Sequence, residues 1–256
     1  YQKRAQAKAT EDKRKEEELE EARQFQLDML PRDTPDELGL DISSAIKTAT
    51  EVGGDYYDYF PQKDGKSLYV VVGDATGHGM TAGMMVSITK AGLYGIPSIP
   101  PNDIARRLNR VIKNIDLGWN RMAFNMARFW EDRVEFTSAA MPPVYHYHGA
   151  TGELDEVLLG GLPLGSIKDE TFSLEEFDFN QGDSLIFISD GLPEAANHTG
   201  EMLGYDAVYD CIKANGNQSA EEQKQSLLDL GSAWLGDLQN QDDITIVVVK
   251  KSKPLE

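Results

Sequence analysis

The sequence predicts an α+β fold with largely antiparallel sheets, on three observations. Runs such as Leu68-Tyr69-Val70-Val71-Val72 are apolar, rich in β-branched residues and bounded by glycine, as strands buried on both faces are. Helical segments come in neighbouring pairs. The regular strand–helix–strand alternation that would demand a parallel sheet is absent.

Residues 1 to 30 are crowded with Lys, Arg, Glu, Gln and Ala, contain no glycine, and meet their first proline at Pro31, so they read as one long helix. It is nearly all polar up to Glu18. After that Leu19, Ala22, Phe25 and Met29 recur at spacings of three and four and form an apolar seam. That seam suits either a solvated helix whose last turns pack on the following domain or a dimeric coiled coil. Both readings make residues 1–31 a connector. The start at Tyr1 rather than Met suggests an upstream sensory module.

A second region, 38–251, has the mixed pattern of a globular domain. Leu40 to Ala49 and Asp55 to Pro61 alternate enough to be paired strands, and Leu68 to Val72 is the buried strand noted above. Met80 to Tyr94 has helical spacing with Met80, Met84 and Met85 as core candidates, and Pro101 to Asp116 is a second amphipathic helix opening behind Pro100-Pro101. Met122 to Trp130, Arg133 to Ala140 and Val144 to His148 read as an antiparallel meander. Ser184 to Ser189 is another buried strand, 202–214 and 219–235 are helices, and Ile244 to Lys250 is the closing strand. Residues 252–256 form a tail whose Leu255-Glu256 end resembles a vector remnant.

Composition narrows the class. With 256 residues, 40% of them hydrophobic, the chain can bury a large core. A net charge of -18 argues against nucleic-acid or anionic-membrane partners, because a phosphate-rich surface calls for clustered Lys and Arg, and it favours divalent cations. The single cysteine, Cys211, excludes an internal disulfide and reads as small core filler. No apolar run approaches the ~20 residues that span a bilayer, and no signal peptide is present, so a cytoplasmic location is expected.

The chemistry lies in aspartates set among apolar or glycine residues: Gly53-Gly54-Asp55, Gly73-Asp74-Ala75-Thr76-Gly77-His78-Gly79, Ser189-Asp190-Gly191 and Asp242-Asp243-Ile244-Thr245. Burying an unpaired carboxylate is costly unless a cation meets it. Asp74 and Asp190 each end a buried strand, Asp55 begins one and Asp242 precedes one, so the four can converge on one edge of a sheet sandwich. Oxygen-only ligands select a hard cation, Mg2+ or Mn2+, and several aspartates together suit two ions sharing a carboxylate, an arrangement that activates water against a phosphate ester.

In that order and spacing the four segments, with Glu51 opening the first, resemble the metal-dependent protein serine/threonine phosphatases related to protein phosphatase 2C, specifically the bacterial SpoIIE-type branch. Residues Glu21 to Pro31 are similar to the helix that leads into such domains, and Gly161-Leu162-Pro163-Leu164-Gly165 to a further family segment. The resemblance implies two packed antiparallel sheets flanked by paired helices, with an N-terminal helical linker. It implies that Asp74 bridges two Mn2+ or Mg2+ ions, that Asp55 and the backbone carbonyl of Ala75 complete one shell, and that Asp190 with Asp242 holds the other ion. Asp243 is the weaker candidate of its pair. Catalysis would run through a metal-bound water positioned by Asp55, Asp74, Asp190 and Asp242, without a phosphoenzyme. Many relatives carry Gly-His where Ala140-Met141 stands, so any polar role of that histidine is missing here. By the same analogy the substrate is a phosphorylated STAS-type anti-sigma-factor antagonist. Regulation would pass through a homodimer of the N-terminal helix to the helices at 80–116.

Duller explanations exist for each motif. Gly-Gly-Asp alone is an ordinary hairpin cap, and Asp74 or Asp190 alone an Asx turn. His78 fits a structural loop bond as well as a catalytic one, and His146 with His148, sharing one face of a strand, fits an exposed polar face better than a metal pair. A catalytically inactive module that binds metal and a partner protein is the main alternative to an enzyme. A nucleotide cyclase is disfavoured by the absence of a phosphate-cradling Gly-x-x-x-x-Gly-Lys loop.

Overall fold

A computed structural model describes residues 2–49, 52–63, 65–95 and 97–252, with part of the first helix's side chains left aside. Glu51 and the side chain of Leu19 lie outside the described residues. The chain forms α1 (Gln2–Asp28), β1 (Leu40–Lys47), β2 (Asp55–Pro61), β3 (Leu68–Ala75), α2 (Met80–Tyr94), α3 (Pro101–Ile115), β4 (Met122–Phe129), β5 (Arg133–Ala139), β6 (Val144–Tyr147), β7 (Leu154–Val157), β8 (Glu175–Asp178), β9 (Ser184–Ile188), α4 (Tyr205–Asn215), α5 (Ala220–Leu235) and β10 (Ile244–Lys251).

Two five-stranded sheets pack face to face, one ordered β1-β10-β9-β6-β7 and the other β2-β3-β4-β5-β8. Every pairing is antiparallel. Between the sheets lies one core, with Val70, Val72, Phe129, Phe136, Phe187 and Val249 at its centre. A second core joins the β3 sheet to α2 and α3 through Met85, Leu108, Met122 and Phe124, and a third joins the β9 sheet to α4 and α5 through Tyr145, Ile186, Leu227 and Val248. The strands at the centre of this four-layer stack are buried on both faces, which accounts for their continuous apolar runs.

Local chemistry sets the helix boundaries. Pro101 occupies the first turn of α3, where its missing N–H costs nothing, and Asp116 closes that helix in the left-handed region. Ser219 and Glu222 form a reciprocal capping box at the start of α5. α1 runs to Asp28 and then docks: Lys90 of α2 donates to the Met29 carbonyl and to buried Asp58. Gln26, also buried, reaches the turn before β2.

The strand partners differ from the sequence expectation in two places. β1 does not pair with β2; it pairs with β10, so the first two strands belong to opposite sheets. β6 does not continue the β4–β5 meander but crosses to the other sheet, between β7 and β9. Alternation of apolar and polar residues marks a strand's faces and says nothing of its neighbour. β7 and β8 are four-residue edge strands, short and acidic, that the sequence pattern did not reveal. Of the three methionines expected in the core only Met85 is there; Met80 and Met84 are exposed beside Ala22 and Phe25 of α1, around a cleft of ≈ 480 Å³. Among the described residues no helix is long and apolar enough to cross a membrane.

Candidate metal centre

Strand register makes the first carboxylate pair. Asp55 at the start of β2 stands directly opposite Asp74 near the end of β3. From the other sheet, Asp190 follows the C-terminal end of β9, and Asp242 and Asp243 precede the N-terminal end of the adjacent β10. The motifs therefore meet where both sheets end.

Glycines allow this approach. A Cβ on Gly54 would lie 2.4 Å from the Ala75 carbonyl oxygen and 3.0 Å from Oδ1 of Asp74. One on Gly191 would lie 2.0 Å from the Asp243 carbonyl oxygen. Only a residue without a side chain lets the backbones carrying these aspartates come so close.

Hydrogen bonds then divide the aspartates into two kinds. Asp55 is 2% exposed, and its Oδ2 accepts from Ser189 Oγ at 2.7 Å and Thr245 Oγ1 at 2.6 Å. Ser189 and Thr245, themselves within two of the motifs, thus orient the carboxylate of another. Asp243 is also buried, and both its oxygens are engaged: Oδ1 accepts from Ala49 N–H, Oδ2 from Gly54 N–H and more weakly from Asp55 N–H. It is the clasp that holds the Gly53-Gly54-Asp55 turn. Asp242 is exposed and accepts the Asp243 N–H at 2.8 Å through Oδ1. Asp74 and Asp190 are partly buried.

Crowding of like charges shows in the titration of these groups. Burial, and then the charges of Asp190, Asp242 and Asp243, push the Asp74 carboxyl up to about 7. Burial and the Asp74 charge raise Asp55 well above the ordinary range, against the hydrogen bonds from Thr245 and Ser189. Asp190 is raised by burial, Asp242 and Glu194. Every charged neighbour that shifts Asp74 is another carboxylate. Such a set of oxygen donors, without compensating cations, fits hard divalent ions and suits neither Zn2+ nor Cu2+.

Other expected residues fall outside this cluster. His78 is exposed on the loop between β3 and α2. Met141 is buried in the core between the sheets, so the position where relatives carry histidine is apolar packing here. Ala140 before it adopts φ 61°, a left-handed conformation that suits the glycine of those relatives. The pairing of His146 and His148 on one face is as expected, but that face is only partly exposed: His146 is 3% exposed, between the sheets' outer edges, and His148 is half-buried. Its surroundings are the one group of three His, Cys or acidic residues among the described residues whose ligand atoms all lie within 4.8 Å of one another. Cys211 is half-buried with its thiol raised by burial, as befits filler.

Comparison with known proteins follows the same lines. Residues 64–252 match the profile of the family described as stage II sporulation protein E (SpoIIE). The phosphoserine phosphatase RsbU of Bacillus subtilis is 28% identical over 239 residues, covering 91% of this chain and 70% of the relative. Among solved structures, the SiaA-PP2C domain of Pseudomonas aeruginosa superposes with a TM-score of 0.81 at 22% identity, over 94% of this chain and 98% of that one. The PP2C phosphatase domain of SpoIIE from Bacillus subtilis, with a fragment of its regulatory domain, gives 0.67 at 18% identity, over 82% and 63%. At those identities the structural likeness shows the fold.

Proposed function

From the premise that the chain belongs to the SpoIIE family, a branch of the protein phosphatase 2C type, we propose that it dephosphorylates a phosphoserine or phosphothreonine protein at a centre of two Mn2+ or Mg2+ ions. It is a serine/threonine phosphatase. One observation carries the reading of the centre: Asp55 and Asp74 face each other across β2 and β3, while Asp190 and Asp242 reach the same place from the second sheet.

In this reading Asp74 would serve both ions, Asp55 and the Ala75 carbonyl would hold one, and Asp190 with Asp242 the other. The bound ions would neutralise the phosphoryl charge and lower the pKa of attacking water. The chain's own part is placement. Ser189 and Thr245 fix the orientation of Asp55 across the sheet interface, and Asp243 holds the turn that presents it. The carboxylates sit on strand ends, which move little, so that the ligand geometry is prepared before substrate arrives. By analogy with relatives the phosphoprotein is a STAS-type regulator, and the N-terminal helix controls the site as a homodimer. Gln26 supports the control, since it joins α1 to the backbone next to Asp55.

Asp190→Asn tests this reading. It is expected to abolish Mn2+-dependent hydrolysis of a phosphoserine protein while circular dichroism and melting behaviour stay those of a folded chain. Wild-type turnover in that variant would overturn it.

A further inference from the structure

β9 carries an aspartate beyond each end. Asp190 leads into the centre described above; Asp183, seven residues earlier and so about 23 Å away along an extended strand, lies among histidines. His146 of β6 and His148 just beyond it project on one face, with ring centroids 4.1 Å apart. One ligand atom from each of His146, His148 and Asp183 lies within 4.8 Å of the other two. Asp155 of β7 stands behind His148, its Oδ2 at 2.8 Å from His148 Nε2, a hydrogen bond that orients the ring.

The parts are held as a site is held. His146 is 3% exposed and is packed against Phe177 at 4.8 Å and Phe179 at 5.9 Å between centroids. Asp183 is fixed by two backbone donors, Gly149 N–H at 2.8 Å and Asn180 N–H at 2.7 Å. The Nε2 of His146 is 3.4 Å from Asp183 Oδ2. That is long for a hydrogen bond, and it matches the ~3.3–3.5 Å between neighbouring ligand atoms around a tetrahedral ion with bonds of about 2.0–2.2 Å. An open cleft of ≈ 660 Å³, bordered by His148, Glu156 and Asp178, gives an ion access.

We propose that His146, His148 and Asp183 form a zinc site, separate from the phosphatase centre, that ties the β6–β7 hairpin to the turn entering β9, with Asp155 orienting His148 from outside. Two imidazoles and one carboxylate, leaving a fourth position for water, suit a borderline-soft ion, whereas the all-oxygen aspartate set suits Mg2+ or Mn2+. The two sites thus select different metals on one chain.

The test is a titration of the metal-stripped chain with Co2+ in excess Mg2+, which occupies the oxygen centre. One equivalent is expected to give the intense visible band of tetrahedral cobalt, displaced by Zn2+, and zinc should raise the melting temperature. His148→Gln, at a partly exposed position, should weaken Co2+ and Zn2+ binding by more than about 100-fold, beyond the loss of an outer-shell partner, without lowering the melting temperature of the metal-free chain. Asp190→Asn should leave both signals intact. A weak octahedral spectrum only, zinc affinity unchanged in His148→Gln, or loss of the signals in Asp190→Asn would overturn the proposal. The oxygen centre is read separately by phosphatase activity in Mn2+, so the two assignments fail independently.

Discussion

Gln26 of the N-terminal helix and Gly53 of the turn before Asp55 exchange two hydrogen bonds: the Gln26 amide donates to the Gly53 carbonyl at 2.7 Å, and the Gly53 N–H donates to Gln26 Oε1 at 3.0 Å. A side chain of the linker helix thereby satisfies the main chain two residues from a candidate metal ligand.

Gln26→Ala should therefore reach the metal site. Removing the amide leaves a buried N–H and C=O unpaired, at a cost of about 1–3 kcal/mol, much of which local loosening of the Gly53-Gly54-Asp55 turn can relieve. The Mn2+ concentration for half-maximal phosphatase activity is expected to rise. If stability falls while that concentration stays put, the contact only anchors the helix.

Ser189→Ala and Thr245→Val each remove one of the two donors to Asp55. Outer-shell partners of this kind are commonly worth about 10–100-fold in metal affinity. Calorimetry with Mn2+ should show a weakening in that range for each variant. Unchanged affinity in both would mean that Asp55 is oriented by something else.

The metal-free protein should lose stability as pH rises through the range where its aspartates ionise. Asp74 has a folded pKa raised from 3.8 to about 7, so the folded chain holds its proton where the unfolded chain has released it. Stability from this group is greatest at the acid end, declines across that interval and is fully lost above it. Asp55 and Asp190, raised in the same direction, steepen the decline. Melting curves of wild type and Asp74→Asn, both without metal, should converge at the acid end and separate towards neutral pH, with the variant the more stable there. Parallel curves would contradict the assigned shift.

Ala140 is a small exposed residue at φ 61°, where a Cβ is disfavoured. Ala140→Gly is expected to stabilise the fold by about 1 kcal/mol, read as a higher urea midpoint at unchanged slope. A lower midpoint would show that the unfolded-state freedom of glycine outweighs the relieved strain.

Much of the centre was legible because burial leaves a plain mark: an aspartate beside an uninterrupted apolar run stands out, and four of them did. The helix pair at α2 and α3 could be read similarly, whereas the preference for Asp242 over Asp243 rests on the family resemblance alone. What stayed hidden were relationships between distant residues. Nothing in the local pattern tells β1 to seek β10, or Ser189 and Thr245 to turn their hydroxyls on Asp55, because hydroxyl residues at strand ends are ordinary. Gln26 sits in a run of polar helix formers and differs from them only by what it meets. His146 and His148 showed their shared face through their spacing, but whether that face met water depended on β8, a strand too short and too acidic to announce itself.

That same brevity bears on how the molecule keeps to itself. β7 and β8 each close one sheet, and each presents unpaired main-chain groups that a strand from another copy could adopt. Their outward residues are Asp155, Glu156, Glu175, Glu176 and Asp178, so an incoming edge of the same kind would meet like charge at nearly every step. These two acidic hems keep any contact between copies from spreading into aggregated sheet.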